Sequence, residues 1–306
     1  MTQAVPVLRL IVNPVASRAN ARTLEQALQA LAPCEVEVVT TERPGQAGEL
    51  ARESIDLGHD AVVVLAGDGT ANDVLNRVGI EIPVGLLPAG GTSVLPRALG
   101  LPNKVQEAAV MVREAAIARR TRTIALGTIN GRRFAFAAGV GFDADVVRRV
   151  DAAGRAHGKR PGDTWFAMQA VRTLVGGRYR RPLLTVEVPG QEPIRGASAL
   201  IANTHPWSYL GKRPLRLADR ATFEGGLDIV IPNDFRRRHA MRLFRYAFLT
   251  GKHTDDHDHN VRYLHDVSEA VIRCDAPLPA EVDGDDIGDL VEARLTVAHE
   301  GARLLV

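Results

Sequence analysis

The stretch Asp60-Ala-Val-Val-Val-Leu-Ala-Gly-Asp-Gly-Thr-Ala-Asn-Asp-Val-Leu-Asn76 predicts a buried strand, a tight turn and a helix, in that order. Residues 61–65 form an apolar, β-branched run of the kind found in strands that are covered on both faces. Gly67-Asp68-Gly69 breaks the run with residues that tolerate positive φ, and Thr70 opens the helix. Backbone N–H groups at a glycine-rich turn and at a helix N-terminus together bind phosphate. The stretch therefore predicts a phosphate-binding turn.

The residue after this turn limits the classes of phosphate-binding loop to which the turn can belong. A Walker-type phosphate loop has a lysine directly after its last glycine, whereas Thr70 follows Gly69 here, so that class is excluded. Spacing alone leaves a second interpretation, that the turn is an ordinary strand-to-helix connection, because every αβ protein contains several of them.

Strand-like and helical patterns alternate in the N-terminal part of the chain. The strand-like runs are 7–12, 36–40, 61–65 and 84–87, and the helical patterns are 22–31, 47–56, 71–78 and 105–118. Such alternation with short connections predicts a parallel sheet covered by helices, and ligands bind at the carboxyl ends of its strands. Asn13, Thr41, residues 67–72 and Thr92 fall at those ends, so we expect them to come together.

From about residue 123 the pattern changes to short apolar runs separated by Gly, Pro and charged residues. The runs are 124–128, 134–138, 183–188, 197–202, 227–231, 270–274, 278–282 and 290–297, with helical exceptions at 164–174 and 238–249. Many strands with few helices predict an antiparallel β-sandwich. The predicted fold class is thus α/β plus β, with an αβ domain over residues 1–123 and a β-rich domain over 124–297.

Composition indicates a soluble enzyme. The 306 residues include 38 basic and 36 acidic side chains, a net charge of +2 that shows no footprint of nucleic-acid binding. Cys34 and Cys274 are too far apart in sequence to suggest a disulfide framework or a Cys-based metal site. No apolar run approaches the ~20 residues of a membrane-spanning helix, and residues 1–10 lack the features of a signal peptide. A cytoplasmic location is expected.

Six ordered blocks resemble the diacylglycerol kinase-like and sphingosine kinase-like lipid kinases. The blocks are Ile11-Val-Asn-Pro-Val-Ala-Ser17, Leu65-Ala-Gly-Asp-Gly-Thr-Ala-Asn-Asp-Val-Leu-Asn76, Leu87-Pro-Ala-Gly-Gly-Thr-Ser-Val-Leu-Pro-Arg-Ala-Leu-Gly-Leu-Pro102, Ala138-Gly-Val-Gly-Phe-Asp-Ala144, Phe223-Glu-Gly-Gly-Leu-Asp228 and Val282-Asp-Gly-Asp285. The second resembles the family signature Gly-Gly-Asp-Gly-Thr-x-Asn-Glu, and the third resembles Leu-Pro-x-Gly-Thr-x-Asn. The resemblance implies an N-terminal nucleotide-binding domain of the NAD kinase and diacylglycerol kinase type, to which residues from about 298 to 306 return.

The resemblance also implies a set of site residues. ATP would be bound by Asn13, Pro14, Thr41, Ala66, Gly67, Asp68, Gly69, Thr70, Asn72 and Thr92. Phosphorylating an alcohol uses a metal-bound nucleotide and often a carboxylate that deprotonates the hydroxyl. Asp68 would bind Mg²⁺, directly or through water, or fix the loop by hydrogen bonding; an Asx-type turn is the alternative. Asp283 or Asp285 would be the catalytic base, although the acidic run 281–286 could equally be a solvated loop.

Four positions depart from the family pattern: Ser17, Ala66, Ser93 and Asp285. The usual residues there are glycine, glycine, asparagine and glutamate. Because the changes are small or keep the charge, we expect an intact phosphate site. The alternative is that the chain is a family member with weakened catalytic activity.

Three further segments suggest metal or cofactor sites. The fifth block resembles a family turn that holds a structural Mg²⁺, here through Glu224 and the carbonyl groups of Ala221 and Gly226, with an ordinary hairpin turn as the rival. Residues 139–144 imitate a dinucleotide fingerprint, but the basic segment 156–162 stands where an acidic residue is needed, which disfavours an oxidoreductase. Residues 253–259 contain three histidines but lack a fixed periodicity, and we interpret them as a surface loop.

Residues 235–249 form a basic amphipathic pattern, with Met241, Phe244 and Phe248 near one face and arginines alongside. Such a helix could lie on an anionic membrane or pack onto the sandwich with its arginines solvated. Together with the resemblance, this predicts an ATP- and Mg²⁺-dependent lipid kinase of phospholipid biosynthesis. The acceptor would be diacylglycerol or a similar lipid, bound in a cleft between the domains, with peripheral contact at the inner membrane surface. A homodimer, an NAD kinase-like enzyme and a non-catalytic lipid-binding protein stay open.

Overall fold

The computed structural model describes residues 5–157, 163–250 and 260–306. The predicted histidine-containing loop 253–259 lies outside these residues. The chain divides into two compact units. Unit 1 comprises Met1–Leu126 and His299–Val306, and unit 2 comprises Gly127–Ala298.

Unit 1 is an αβ unit. Its strands are β1 (Val7–Val12), β2 (Glu35–Thr40), β3 (Ala61–Ala66) and β4 (Val84–Pro88), and its helices are α1 (Ala21–Leu31), α2 (Gln46–Asp56), α3 (Asp68–Val78), α4 (Val94–Ala98) and α5 (Val105–Ile117). The strands pair in parallel in the order β2-β1-β3-β4, and Leu304 pairs in parallel with Val84 beyond them. The predicted parallel sheet is thus confirmed.

The core of unit 1 follows from its residue pattern. All six residues of β3 are buried, as its continuous apolar run predicts for a strand covered on both faces. On one face, Leu31 of α1 and Val112 of α5 pack into a core with Leu8 and Leu10 of β1. The side chain of Asn20 caps α1 by accepting a hydrogen bond from the Thr23 N–H at 3.0 Å.

Unit 2 is rich in strands. These are β5 (Arg122–Ile129), β6 (Arg132–Phe134), β7 (Ala137–Val140), β8 (Leu184–Glu187), β9 (Ile194–Gly196), β10 (Ala199–Ala202), β11 (Ser208–Leu210), β12 (Arg213–Leu215), β13 (Leu227–Pro232), β14 (Val261–Val267), β15 (Glu269–Val282) and β16 (Asp285–Leu304). The central pairings are antiparallel, in the order β14-β13-β10-β7-β15-β16. Strand β5 begins in unit 1, and β16 ends there. The predicted β-rich fold is confirmed.

Helices of unit 2 differ from the prediction in one respect. They are α6 (Phe142–His157), α7 (Asp163–Gly176) and α8 (Arg237–Arg245), and a π-helical turn, Tyr246–Thr250, follows α8. The sequence predicted α7 and α8 but not α6. Charged and small residues make α6 polar on average, although its apolar residues keep a helical spacing. The runs 270–274 and 278–282, predicted as two strands, form the single strand β15, whose register shifts between Arg273 and Leu278.

Two apolar cores stabilise unit 2. One lies among the strands and includes Phe134, Val186, Ile201 and Ile272. The other, which we call the aromatic core, contains Phe142, Tyr179 and Phe235 together with buried residues of α8. The rings of Phe142 and Phe235 stack with centroids 4.2 Å apart, and Tyr179 meets Phe142 edge-on at 5.7 Å.

Within the described part of the chain, no helix is both long and apolar enough to cross a membrane.

Candidate active site

The turn after β3 presents the N-terminus of α3. Gly67 is the N-cap residue, with an extended backbone (φ −93°, ψ 177°), and no side chain caps the helix there. Gly67 to Thr70 are partly exposed. An uncapped helix N-terminus carries partial positive charge and N–H donors, and both favour a bound anion. The arrangement therefore suits a phosphate group at this turn.

A second glycine segment lies directly against this turn. The Ala89 N–H donates to the Ala66 carbonyl at 2.9 Å, so the chain after β4 runs beside the chain after β3. A Cβ atom built on Gly90 would lie 2.7 Å from the Cα of Gly67, whereas one on Gly91 would meet nothing within 4 Å. Two backbones approach this closely only where both residues lack a side chain. Gly90 therefore allows the second and third sequence blocks to form one surface.

Asp68 joins these two segments. Its carboxylate accepts hydrogen bonds from the N–H groups of Val94 at 2.9 Å and Leu95 at 3.1 Å, at the start of α4. Of the two roles predicted for Asp68, fixing the loop is the one that these contacts support. Carboxylate–amide bonds of this kind are charge-assisted and among the stronger hydrogen bonds of proteins. The Mg²⁺ role stays a prediction.

Polar residues at the strand ends come together as the parallel sheet predicts. The side-chain amide of Asn13, after β1, donates to the Thr70 hydroxyl at 2.8 Å, and its carbonyl oxygen accepts from the Val15 N–H at 3.1 Å. Thr41, after β2, donates its N–H to the Val12 carbonyl at 2.9 Å and is buried. Asn13 thus combines an Asx turn with a contact to the phosphate turn.

The remaining predicted nucleotide residues differ in exposure. Pro14 is exposed and Thr92 is partly exposed, whereas Ala66 and Asn72 are buried. The side-chain carbonyl of Asn72 accepts a hydrogen bond from Asn76 at 2.9 Å, one turn further along α3. For none of these residues does the geometry establish a contact with ATP, and their roles stay predictions.

Arg18, which the sequence interpretation missed, connects the first block to the third. Its guanidinium donates to the Gly90 carbonyl at 2.9 Å, to the Ser93 hydroxyl at 3.1 Å, and to the backbone and side-chain oxygens of Asn103, both at 3.1 Å. Burial lowers the pKa of Arg18 and nearby Arg97 lowers it further, while Asp68 acts in the opposite direction. An arginine stays protonated regardless, so a fixed cation stands beside the turn.

Ser93 adopts left-handed backbone geometry, with φ of +51°. Asparagine, the usual family residue at this position, tolerates that region better than serine. In this chain the buried Ser93 hydroxyl accepts from Arg18 and donates to the Gly90 carbonyl at 3.4 Å. These two hydrogen bonds stabilise the left-handed backbone of Ser93, where the family usually has asparagine.

In unit 2, the acidic run 281–286 connects β15 to β16, and its first three residues are buried. Glu281 is 2% exposed and Asp283 4% exposed, so the solvated-loop interpretation is wrong. Asp286 is paired with Arg148, whose guanidinium also contacts Asp289 at 2.6 Å, and both carboxylates raise the pKa of Arg148.

Asp283 is a structural acceptor. Its carboxylate accepts from the N–H groups of Ala135 at 2.7 Å, Phe136 at 2.9 Å and Ala137 at 3.1 Å. Its own backbone is left-handed, with φ of +48°, which turns the chain at Gly284. Because three N–H donors occupy the buried carboxylate, Asp283 is poorly placed to take a proton from a substrate. Asp285 follows the turn at the start of β16 and is partly exposed, so the geometry favours it over Asp283.

The carboxyl groups of Glu281 and Asp143 flank Gly139, and the sequence did not predict this pairing. A Cβ atom on Gly139 would lie 3.0 Å from an oxygen of Glu281 and 3.3 Å from an oxygen of Asp143, so the glycine provides space for both. Burial raises the pKa of Asp143 to about 6. Burial, reinforced by the charge of Asp143, raises the pKa of Glu281 well above its usual value. Glu281 also accepts the Gly284 N–H at 2.8 Å, which ties the pair to the turn before Asp285.

We expect the Asp143 carboxyl to make unit 2 less stable as pH rises. Its folded-state pKa of about 6 lies above the unfolded value of 3.8, so the folded state binds the proton more tightly. Stability from this group is complete below about pH 4 and is lost as pH rises through 6. Asp143→Asn should therefore melt about 2–4 °C above wild type at pH 7.5, with the difference vanishing near pH 4. Thermal melts of both proteins across this range, with the exposed Glu192→Gln as control, test this; an unchanged pH profile in Asp143→Asn would contradict it.

The predicted structural Mg²⁺ turn is held by carboxylates of the chain itself. The Gly226 N–H donates to Asp266 at 2.6 Å, and buried Asp228 accepts from the Asp266 N–H at 3.1 Å. Glu224 is exposed, and among the described residues no group of three His, Cys, Asp or Glu side chains could hold a metal ion. These hydrogen bonds close the turn through groups of the chain, and a metal at Ala221, Glu224 and Gly226 stays a prediction.

The hydrogen bonds of this turn and the predicted metal site can be tested separately by thermal melts. Asp266→Ala, which removes the acceptor of the Gly226 N–H, should lower the melting temperature by about 2–4 °C both with and without EDTA. Glu224→Gln is the control. If Mg²⁺ raised the melting temperature of wild type but not of Glu224→Gln, the predicted metal site would be established.

Comparisons with known proteins place the chain in a family. Residues 7–141 match the family model of the diacylglycerol kinase catalytic domain, and residues 137–302 match that of the YegS C-terminal NAD kinase beta sandwich-like domain. A diacylglycerol kinase from Mycobacterium tuberculosis is 31% identical over 217 residues, which cover 68% of this chain and 66% of that protein. Sphingoid long-chain bases kinase 1 from Arabidopsis thaliana is 30% identical over 125 residues, 36% of this chain and 16% of that protein. The chain thus spans just under two thirds, or less, of these relatives' length.

A solved structure supports the fold independently of sequence. The crystal structure of a diacylglycerol kinase from Bacillus anthracis str. Sterne superposes with a TM-score of 0.72 at 16% identity, covering 98% of this chain and 96% of that one. At this identity the likeness concerns the fold alone.

Proposed function

Because the chain belongs to the diacylglycerol kinase-like family of lipid kinases, we propose that it transfers the γ-phosphate of ATP to a hydroxyl group of diacylglycerol or a related lipid. The observation that carries the proposal is the joined surface of Gly67, Asp68 and Gly90 at the uncapped start of α3. A polyphosphate is the ligand that such a surface suits best. The reaction would take place at the cytoplasmic face of the membrane.

In this proposal unit 1 binds the nucleotide. The N–H groups at the start of α3 would bind phosphate oxygens, and Arg18 would contribute fixed positive charge beside them. Asn13 would keep the Thr70 hydroxyl oriented. Asp68, whose carboxylate accepts the N–H groups at the start of α4, would also supply an oxygen ligand for Mg²⁺, directly or through water; the ion would neutralise charge on the transferring phosphate.

Unit 2 would supply the base. Asp285 would accept the proton of the lipid hydroxyl as its oxygen forms a bond to the γ-phosphorus and the bond from that phosphorus to the ADP oxygen breaks. Asp283 would act as a positioning residue, because its three N–H contacts set the turn that carries Asp285. Glu281 would help to fix the same turn, because it accepts the N–H of Gly284, the residue before Asp285.

The test is a transfer assay with labelled ATP and Mg²⁺. Mixed micelles carry diacylglycerol, a sphingoid base or a polyprenol in separate tubes, and NAD is offered in a further tube. We expect label in diacylglycerol. The Arabidopsis relative makes the sphingoid base the second candidate acceptor. Label in NAD alone would move the protein to the soluble-substrate kinases, and bound ATP without transfer to any acceptor would overturn the proposed activity.

A further inference from the structure

The turn before Asp285 is a two-residue hairpin loop. Val282 of β15 pairs with Asp285 of β16, and Asp283 and Gly284 connect them. Both connecting residues have positive φ, +48° and +81°, which is the pattern of a type I′ turn. Because this turn type matches the right-handed twist of paired strands, it holds the start of β16 against the end of β15.

Strand β16 contains a β-bulge just after this turn. Asp286 pairs with Glu281. The next pair, Ala280 with Gly288, leaves Ile287 as an extra residue on β16. Gly288 has φ of +94°, a backbone geometry that glycine adopts without a steric penalty. Bulges bend a strand and redirect the side chains beside them, often next to active sites.

Arg148 of α6 spans this bulge. Its guanidinium donates to Asp286 through Nε, at 3.1 and 3.2 Å from the two carboxylate oxygens, and through Nη2 at 3.0 Å. Its Nη1 donates to Asp289 at 2.6 Å. In a regular strand, residues 286 and 289 would face opposite sides, because side chains alternate between the two faces. The extra residue brings both carboxylates to the side from which α6 contacts the strand, so Arg148 is bonded to β16 before and after the bulge.

Two further hydrogen bonds hold the same segment. The Asp286 N–H donates at 3.4 Å to Asp151, which lies three residues after Arg148 on α6. The Gly288 N–H donates to the Asp286 carboxylate at 3.1 Å. The side chains of Arg148 and Asp286 are only 32% and 20% exposed. A planar guanidinium that reaches a partly buried carboxylate through two nitrogens fixes its direction as well as its distance, whereas a lysine is a single point of charge.

Helix α6 is itself fixed to unit 2 by its other contacts. Phe142 and Val146 are buried in the aromatic core. The Asp145 carboxylate accepts hydrogen bonds from the Tyr179 hydroxyl at 3.3 Å and from Arg149 at 3.1 Å. A side chain on a helix anchored in this way can hold a neighbouring segment to a precise position.

We propose that Arg148 is a positioning residue, which directs the carboxylate of Asp285 by fixing the bulge of β16 to α6. Because successive side chains of a strand point to opposite faces, holding Asp286 against α6 directs Asp285 to the other face of the hairpin. A slip of β16 by one residue would turn Asp285 toward α6 instead. The inference rests on the proposed function, in which Asp285 accepts the hydroxyl proton, and adds the side chain that aims this base.

The test is a double-variant cycle between Arg148→Gln and Asp285→Asn, measured as kcat for transfer to micellar diacylglycerol. ATP titration counts the active protein, so partial unfolding does not imitate a loss of kcat. We expect Arg148→Gln to lower kcat about 10-fold or more, with KM for ATP within about 2-fold of wild type. Arg148→Lys keeps the charge without the fork and should recover part of the loss.

The Asp285→Asn background gives the decisive comparison. With no base left to aim, adding Arg148→Gln should lower the residual kcat by less than about 2-fold. A residue that only stabilised the fold would lower kcat by the same factor in both backgrounds. Equal factors would therefore overturn the inference.

Arg273→Gln is the matched control for Arg148→Gln. Arg273 of β15 also bonds two carboxylates, Glu187 and Glu292 of the neighbouring strands, but pairs far along the hairpin from the turn. Its kcat should stay within about 2-fold of wild type. A loss equal to that of Arg148→Gln would mean that kcat responds to any ion pair of this hairpin, and the inference would fail.

Amide hydrogen exchange tests the inference separately from the proposed function, because it needs neither nucleotide nor lipid. Peptides covering residues 283–289 should exchange about 5-fold faster or more in Arg148→Gln, and at the wild-type rate in Arg273→Gln. Faster exchange in Arg148→Gln, with a wild type that phosphorylates no acceptor, would overturn the proposed function and leave the fixing of the bulge supported. Unchanged exchange in Arg148→Gln would overturn the inference and leave the proposed function standing.

Discussion

Asp285→Asn is expected to lower kcat for phosphate transfer by about 10²–10⁴-fold while ATP affinity and melting temperature stay near wild type. Asparagine keeps the size of the side chain but cannot accept the hydroxyl proton. Asp285 is partly exposed at the start of β16, so the change should leave the fold intact. Steady-state kinetics with micellar diacylglycerol, ATP titration and thermal melts measure the three quantities. Wild-type kcat in Asp285→Asn would remove this residue from the chemistry.

Asp283→Asn should produce the opposite signature. An amide offers one oxygen to N–H groups that now meet a carboxylate, and its NH₂ group would face donors instead of acceptors. Loss of buried, charge-assisted hydrogen bonds of this kind destabilises by about 3 kcal/mol. We therefore expect a clear drop in melting temperature, with any loss of activity accompanying it. A variant that melts like wild type but has no turnover would instead identify Asp283 as the base.

Gly90→Ala is the second change with a large expected effect. The new Cβ would stand 2.7 Å from the Cα of Gly67, and neither backbone can swing aside as a flexible side chain would. Overpacking of this sort costs about 1–3 kcal/mol and here would separate the two segments of the phosphate turn. We expect ATP affinity to fall by about 10-fold or more, measured by calorimetric titration.

Gly91→Ala is the matched control for Gly90→Ala. It adds the same methyl group one residue later, where nothing lies within 4 Å and the backbone φ is not positive. Its ATP affinity should stay within about 2-fold of wild type. Equal losses in both variants would mean that the segment responds to any side chain, and the close approach of Gly67 and Gly90 would then explain nothing.

Much of the fold could be predicted because its signals are local. The buried run of β3 and the alternation around it predict a parallel sheet, and the strand-end rule then predicts that Asn13 lies near the phosphate turn, where it contacts Thr70. Helix α6 was not predicted because charged and small residues make it polar on average, even though Phe142, Val146 and Val150 keep a helical spacing.

The roles of individual side chains at the site were harder to predict. Carboxylates in the acidic run look alike in sequence, and only the folded chain shows that Asp283 is buried against three backbone N–H groups while Asp285 is partly exposed at the start of β16. Arg18 stands one residue beyond the first block, and its partners Gly90, Ser93 and Asn103 are more than 70 positions away. Contacts between residues so far apart in sequence produce no periodic pattern, so a single sequence does not predict them.

The return of β16 to unit 1 affects the order in which the two units can be completed during synthesis. Strand β4 has Leu304 beside Val84, the Leu305 N–H bonds to the Val84 carbonyl at 3.0 Å, and the Arg120 guanidinium bonds to the Val306 carbonyl at 2.7 Å. A ribosome makes these partners after all of unit 2. One edge of β4 therefore stays unpaired until residues 304–306 are made, and an unpaired strand edge can pair wrongly with another strand.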